Sequence, residues 1–269
     1  AFLDEFRGKS FTGEWPTLPE MFSITVSRYP NNSCFTDFEP EKTTLNYSQV
    51  LANVQKLANW MLSQGVKKGD RVAVSGKNSP EWATVYLATL FAGGIVVPID
   101  YGLHDKEICN LLNASKPVLF FVDEEKYGYF SANPQGIKIF SLSKKYPEFY
   151  AYNLSEEKQF TAELPTEDDV AAILFTSGTT GNPKGVMLTH KNLVSDCYIA
   201  QTNLTVYSTD VFYALLPIHH SYTMQAVFIE SMSTGAEVVF GKSMAVSRML
   251  RELKEGKITM LLGVPLLFN

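Results

Sequence analysis

The residues best suited by type and spacing to do chemistry follow the apolar stretch VAAILF: Thr176-Ser177-Gly178-Thr179-Thr180-Gly181-Asn182-Pro183-Lys184-Gly185. Glycines let backbone N–H groups approach anionic oxygens closely. Hydroxyls add hydrogen bonds or a metal contact, and Lys184 supplies a mobile positive charge, so the run reads as a phosphate cradle. A polar hairpin turn would explain the glycines but not the hydroxyls and the lysine together. It is not a Walker A loop, because Lys184 is followed by Gly185 and Val186 and not by a serine or threonine. Cys34, Cys109 and Cys197 are far apart and show no CxxC or Cys/His spacing, which suits free thiols in a reducing compartment and argues against a zinc cage.

Around this loop the sequence alternates strands and helices. VMLTH reads as a strand leading to a helix that starts near Thr189, so the loop joins two strands and does not cap a helix. Val50, Val54, Leu57 and Met61 form one apolar stripe on a helix that opens near Ser48 and stops at Gly65. The strand RVAV precedes a second helix with Ser79 as N-cap and Pro80 at its first position; Gly93-Gly94 and the strand IVVPI follow. The order of strand, loop, helix, glycine and strand recurs from Asp210 to Gly241, suggesting two related β-α-β layers. HDKEICNLLNAS before PVLFFV, and SRMLRELKEG before KITMLL, are smaller helix-strand units. The fold class is therefore α/β, with layered, mainly parallel sheets flanked by helices. Residues 1–140 are expected to form a first α/β subdomain, 141–169 a polar, increasingly acidic surface connection, and 170–269 the start of a second α/β subdomain that carries the phosphate-binding loop.

Composition excludes several classes of function. The 269 residues are 45% hydrophobic and 19% charged, which is ordinary for a globular chain and excludes disorder, collagen and disulfide scaffolds. A net charge of -5 provides no bulk positive field for nucleic acid. The uncharged runs Trp82 to Ile99 and Val211 to Ile229 approach membrane-helix length, but Gly93, Gly94 and Pro98 break the first, and Pro217 with His219 and His220 the second. No secretory h-region opens the chain, so a cytoplasmic protein is expected, a reading compatible with peripheral membrane contact.

The run FTSGTTGNPKGVMLTHKNL closely resembles the signature of the adenylate-forming superfamily of acyl-CoA synthetases, luciferases and adenylation domains. LNYSQV, GVKKGDRVAV, AGGIVVPIDYGL, LPIHHSYT, GAEVVF and ITMLLGVP support the resemblance in the family's order, from about Thr44 to the last residue. NSPEWATVYLA, THKNLVSDC and LPIHHSY are most similar to the branch that activates medium and long fatty acids.

The resemblance implies that a carboxylate attacks the α-phosphorus of ATP, giving an acyl-adenylate and pyrophosphate, and that coenzyme A then takes the acyl group. It also implies that Thr176, Ser177, Gly178, Thr179, Thr180, Gly181 and Lys184 hold the β- and γ-phosphates, with the Thr176 hydroxyl touching magnesium (Mg2+). Lys184 and His220 are the implied catalytic residues. His220 in LPIHHSY stands where the family has a histidine or aromatic residue beside the carboxylate, and His219 is the weaker choice. His104 and His190 are expected at the surface or at helix starts.

No Asp or Glu lies between Val211 and Ile229, where the amino-acid-activating branch has an aspartate. Of Phe212, Tyr213, Tyr222, Met224 and Phe228, most are expected to pack in the core. The resemblance implies further motifs beyond Val264-Pro265, so the chain reads as an N-terminal fragment, expected by itself to form no acyl-adenylate and to bind ATP weakly. The alternatives are adenylation of another acid, transfer to a carrier protein, a luciferase-like oxidation, and a nucleotide-binding or scaffolding protein without catalysis.

Overall fold

Short apolar strands and helices alternate along the chain, as the sequence predicts, but two sheets share them out in an order that the sequence does not show. The computed structural model describes residues 2–156, 158–161, 163–175 and 182–262. Contacts divide the chain into two units, one of residues 1–51, 78–80 and 191–269, the other of residues 52–77 and 81–190.

The second unit is built on β3 (Arg71–Ser75), β4 (Ile95–Pro98), β5 (Leu119–Val122), β6 (Lys138–Ser141), β7 (Val170–Phe175) and β8 (Gly185–Thr189). Their order is β6-β5-β3-β4-β7-β8, parallel throughout except for β8, which runs antiparallel to β7. All of β5, LFFV, is buried, as expected for a parallel strand covered on both faces. The helices of this part are α2 (Tyr47–Ser63) from residue 52 onward, α3 (Pro80–Phe91) from Glu81 onward, α4 (Asp105–Ser115) and α5 (Glu124–Ala132). Helix α3 is buried from Trp82 through Phe91, which explains a helix with no charge beyond Glu81. Its buried threonines are satisfied: Thr89 donates to the Val85 carbonyl at 2.8 Å, and Thr84 shares a hydrogen bond with the Tyr152 hydroxyl at 3.0 Å. Ala73, Val97, Ile108, Leu112, Phe120 and Phe130 belong to the core of this unit.

The first unit contains α1 (Leu18–Arg28), β1 (Ser33–Asp37), β2 (Thr43–Asn46), β9 (Val211–Ala214), β10 (Glu237–Phe240) and β11 (Met260–Leu261). The sheet order is β11-β9-β10-β1-β2, with only β2 antiparallel to its neighbour. A capping box starts α1: Glu20 N–H donates to Thr17 Oγ1 at 3.2 Å, and Thr17 N–H to Glu20 Oε1 at 3.0 Å. Between β9 and β10 the chain forms α7 (Ser221–Thr223), a π-helix (Met224–Ile229) and α8 (Glu230–Thr234). Helix α6 (His190–Ala200) precedes β9 and α9 (Val246–Glu255) follows β10. The Tyr47 hydroxyl lies against the Ser231 and Ala236 carbonyls at 3.0 and 2.6 Å, fixing the start of α2 beside the end of α8.

These sheets correct the linear division at 1–140, 141–169 and 170–269. Strands β7 and β8 extend the sheet of β3 to β6, through the parallel pairing of Val96 with Ala172, and β1 and β2 lie in the sheet of β9 to β11. Backbone pairing assigns a strand to its sheet, and that pairing joins segments distant along the chain. The connection 141–169 is also less peripheral than its polarity suggests. Tyr150, Ala151 and Leu154 are buried, and the Tyr150 hydroxyl donates to Glu81 at 2.8 Å.

Candidate functional site

Strands β7 and β8, which flank the phosphate-cradle run in the sequence, pair antiparallel. Their register pairs Phe175 with Gly185, Leu174 with Val186, Ile173 with Met187 and Ala172 with Leu188, with an irregularity before Val170 meets Thr189. The loop therefore does join two strands, and the following helix starts at His190. Thr176, Ser177, Gly178, Thr179, Thr180 and Gly181 lie outside the described residues. Lys184 is exposed at the last position before β8. At Gly185 a β-carbon would stand 2.5 Å from Ile173 Cγ2 and 3.3 Å from Phe175 Cε1, so only glycine allows the strands to close at the root of the loop.

The other end of the hairpin is tied by Asp169. Its carboxylate accepts the Thr166 N–H at 2.7 Å and pairs with Lys68 at 3.2 Å, while its carbonyl accepts the His190 N–H at 3.1 Å. Burial pushes the Asp169 carboxyl up, but the bonds from Thr166 and Lys68 outweigh it and hold it below the usual range. His190 starts α6 as expected, yet it is fully buried and not at the surface. Burial lowers its pKa to about 4 against the pull of the Asp169 charge, so at neutral pH it is an uncharged imidazole. His104 stands exposed at the N-cap of α4.

In the first unit, the residues after β9 carry LPIHHSY. Pro217 O accepts the His220 N–H at 3.2 Å and His220 O accepts the Met224 N–H at 2.9 Å, which turns the chain into α7 with His220 as N-cap. The His219 ring is buried and the His220 ring exposed, their centroids 4.3 Å apart. Phe212, Tyr213, Met224 and Phe228 are core residues, as expected, whereas Tyr222 is 60% exposed next to His220. The buried side chain of Asn78, which sequence reasoning did not single out, holds this segment: its amide N–H groups donate to the Ala214 and Leu216 carbonyls at 2.8 Å each, and its Oδ1 accepts the Ile218 N–H at 2.9 Å. No local signal distinguishes this asparagine from a turn residue before a helix, because its partners are 136 to 140 residues away.

The first acid after the 211–229 stretch, Glu230, points into the interior. Its Oε2 accepts a hydrogen bond from Cys197 Sγ at 3.0 Å, Cys197 also lies 3.2 Å from Ser233 Oγ, and Gln201 Nε2 donates to Ser233 Oγ at 2.8 Å. Burial raises the Glu230 carboxyl and the Cys197 thiol alike. The three cysteines are free, Cys34 and Cys197 buried and Cys109 half-buried. Among the described residues no group of three or more His, Cys, Asp or Glu could hold a metal ion, and no helix is long and apolar enough to cross a membrane.

Residues 22–269 match the family model described as AMP-binding enzyme. The chain belongs to the AMP-binding enzyme family. This AMP-binding chain is 30% identical over 256 residues to 4-coumarate--CoA ligase CCL1 of Humulus lupulus, a match that covers 89% of the chain and 46% of the relative. It is 31% identical over 274 residues to the medium-chain fatty-acid--CoA ligase of Escherichia coli (strain K12), covering 96% and 48%. Among solved structures, ATP-bound MatB from Rhodopseudomonas palustris superposes with a TM-score of 0.79 at 25% identity, over 94% of this chain and 50% of that one. The chain thus spans about half the length of the curated relatives it matches. The fold is that of the N-terminal domain of adenylate-forming enzymes.

Proposed function

We propose that this AMP-binding chain is part of an AMP-forming acid-thiol ligase that activates a medium- or long-chain fatty acid with ATP and passes the acyl group to coenzyme A. The observation that carries the proposal is the family match over residues 22–269, which includes the phosphate-cradle run between β7 and β8. In the first half-reaction a carboxylate oxygen bonds to the α-phosphorus while the bond to pyrophosphate breaks. Two anions must meet and negative charge must depart, so fixed N–H donors and a cation aimed at the phosphates lower the barrier. Thr176, Ser177, Gly178, Thr179, Thr180, Gly181 and Lys184 are proposed to hold the β- and γ-phosphates, and an exposed Lys184 at the root of the hairpin is free to reach them. His220, exposed at its N-cap, is proposed to orient the carboxylate. Magnesium is commonly held by one or two protein oxygens together with substrate phosphates, a donor set that the Thr176 hydroxyl fits; when bound it would neutralise phosphate charge.

The fatty acid is favoured by the LPIHHSY stretch and by the medium-chain relative, which is matched over nearly the whole chain. The 4-coumarate relative favours a second reading, in which the acid is aromatic. ATP–pyrophosphate exchange on the full-length protein, with fatty acids of graded length, aryl acids and amino acids, tests both. Exchange peaking at one fatty acid length is the expected result, with coenzyme A then yielding the thioester. A peak with aryl acids would transfer the assignment to the second reading, and no exchange with any acid would overturn the ligase assignment.

A further inference from the structure

We infer that Asn78 is a positioning residue for acid activation: its side chain fixes the loop after β9 and thereby the approach of His220 to the substrate carboxylate. The inference rests on the reading that His220 meets that carboxylate. Asn78 is 4% exposed and stands two residues before α3, in the part of the connection that belongs with the first unit. Its amide has two N–H donors and one strong acceptor, and all are engaged with backbone, by Ala214, Leu216 and Ile218.

The arrangement stands in for a strand at the point where the ladder ends. Ala214 O also accepts the Gly241 N–H at 2.9 Å, the last such bond at the end of β9, and beyond it Pro217 has no N–H to offer. From Ala214 to Met224 the backbone is then held by a continuous series: the three Asn78 bonds, the turn from Pro217 O to His220 N–H, and the first helical bond from His220 O to Met224 N–H. Displacing the segment at Leu216 or Ile218 therefore displaces His220. The requirement is specific to asparagine. Aspartate has no donors for the two carbonyls, serine offers one donor on a shorter stem, and glutamine places the amide one methylene too far. Without the Asn78 amide the buried Ile218 N–H loses its acceptor and the part-buried Leu216 carbonyl loses this donor, a cost that favours another arrangement of the loop.

The experiment is a double-mutant cycle in the full-length protein with Asn78→Ala, His220→Ala and the pair, read by ATP–pyrophosphate exchange with the best acid and by KM for acid and ATP separately. Displacement of a positioned group by a fraction of an ångström to an ångström costs about tenfold to a hundredfold, so Asn78→Ala is expected to lower kcat/KM for the acid by that factor while KM for ATP moves less than about twofold. The double variant should lose no more than His220→Ala alone, since both act through one group. Asn78→Ser, which keeps one donor, should be intermediate and takes the place of the alanine variant if that does not fold. Losses that multiply in the double variant, or equal rises in both KM values, would overturn the inference alone. A His220→Ala protein with an unchanged KM and kcat for the acid would instead remove the His220 reading, and this inference with it.

Discussion

The two β-α-β crossovers begin and end alike and differ in between. In one, β3 leads through α3 to its parallel neighbour β4; in the other, β9 leads through α7, the π-helix and α8 to its parallel neighbour β10. Both helical segments finish on a glycine with positive φ, +82° at Gly93 and +83° at Gly235, and in both the next N–H reaches back five residues, from Gly94 to Thr89 O at 2.9 Å and from Ala236 to Ser231 O at 3.1 Å. This is the Schellman ending. Helix α3, however, is an unbroken buried cylinder, whereas the second crossover has a histidine loop before it and a π-segment within it, where Glu230 N–H bonds to Gln225 O. Such π-segments are frequent at functional sites. One crossover uses its residues for packing; the other gives up regularity and gains exposed His220 and Tyr222.

If that division of labour holds, the largest effect on stability comes from the first crossover. Leu87→Ala, at a site with no exposure, should cost about 3–5 kcal/mol in urea unfolding, while Tyr222→Ala in the second should cost less than about 0.5 kcal/mol. Activity should show the opposite ranking. His220→Ala is expected to lower the exchange rate with the acid by about a hundredfold without shifting Tm, and an unchanged rate would remove the functional half of the contrast.

The glycines sharpen the comparison where the two crossovers agree. Gly93→Ala meets only ordinary contacts, the nearest at 3.5 Å, and should cost about 1–2 kcal/mol for the left-handed backbone alone. Gly235→Ala also drives its methyl into the Tyr29 ring and should cost about 1 kcal/mol more, visible as a lower urea midpoint than that of the Gly93 variant.

Two buried groups carry the pH dependence. Burial raises the Glu230 carboxyl above its usual value, so the folded state keeps a proton that the unfolded chain releases, and stability falls as pH rises above about 4.5. Glu230→Gln should remove that slope from urea midpoints measured between pH 5 and 8. His190, outside both crossovers, gives the opposite sign. With a folded pKa of about 4 against 6.5 in the unfolded chain, its contribution is complete at neutral pH and is lost on acidification, by about 2 kcal/mol at pH 5. His190→Asn should be less sensitive to acid over that range.

Both crossovers were legible in the sequence because each signals itself locally, through Ser79-Pro80 at one helix start and glycine before each returning strand. The phosphate-loop hairpin was legible for the same reason, since VAAILF and GVMLT flank the small residues closely. Strands β1 and β2 were not: TTLN is largely exposed and SCFTD carries no alternation, so neither reads as a strand without its partner. The pairing of β7 with β4 and the bonds of Asn78 arise from packing of distant segments, which no window of sequence contains. His190 shows the same limit, because its place at a helix start was readable and its burial was not.

One consequence remains at the hairpin. Strand β8 ends the order of the six-stranded sheet, and Val186 and Met187 are 50% and 57% exposed on it. An apolar edge of this kind is a template on which a strand of another molecule can assemble. Lys184 also sets a positive charge at the start of that edge, a placement that opposes edge-to-edge pairing of strands. Loss of the lysine would then be expected to lower solubility, and a charge placed at Met187 to restore it.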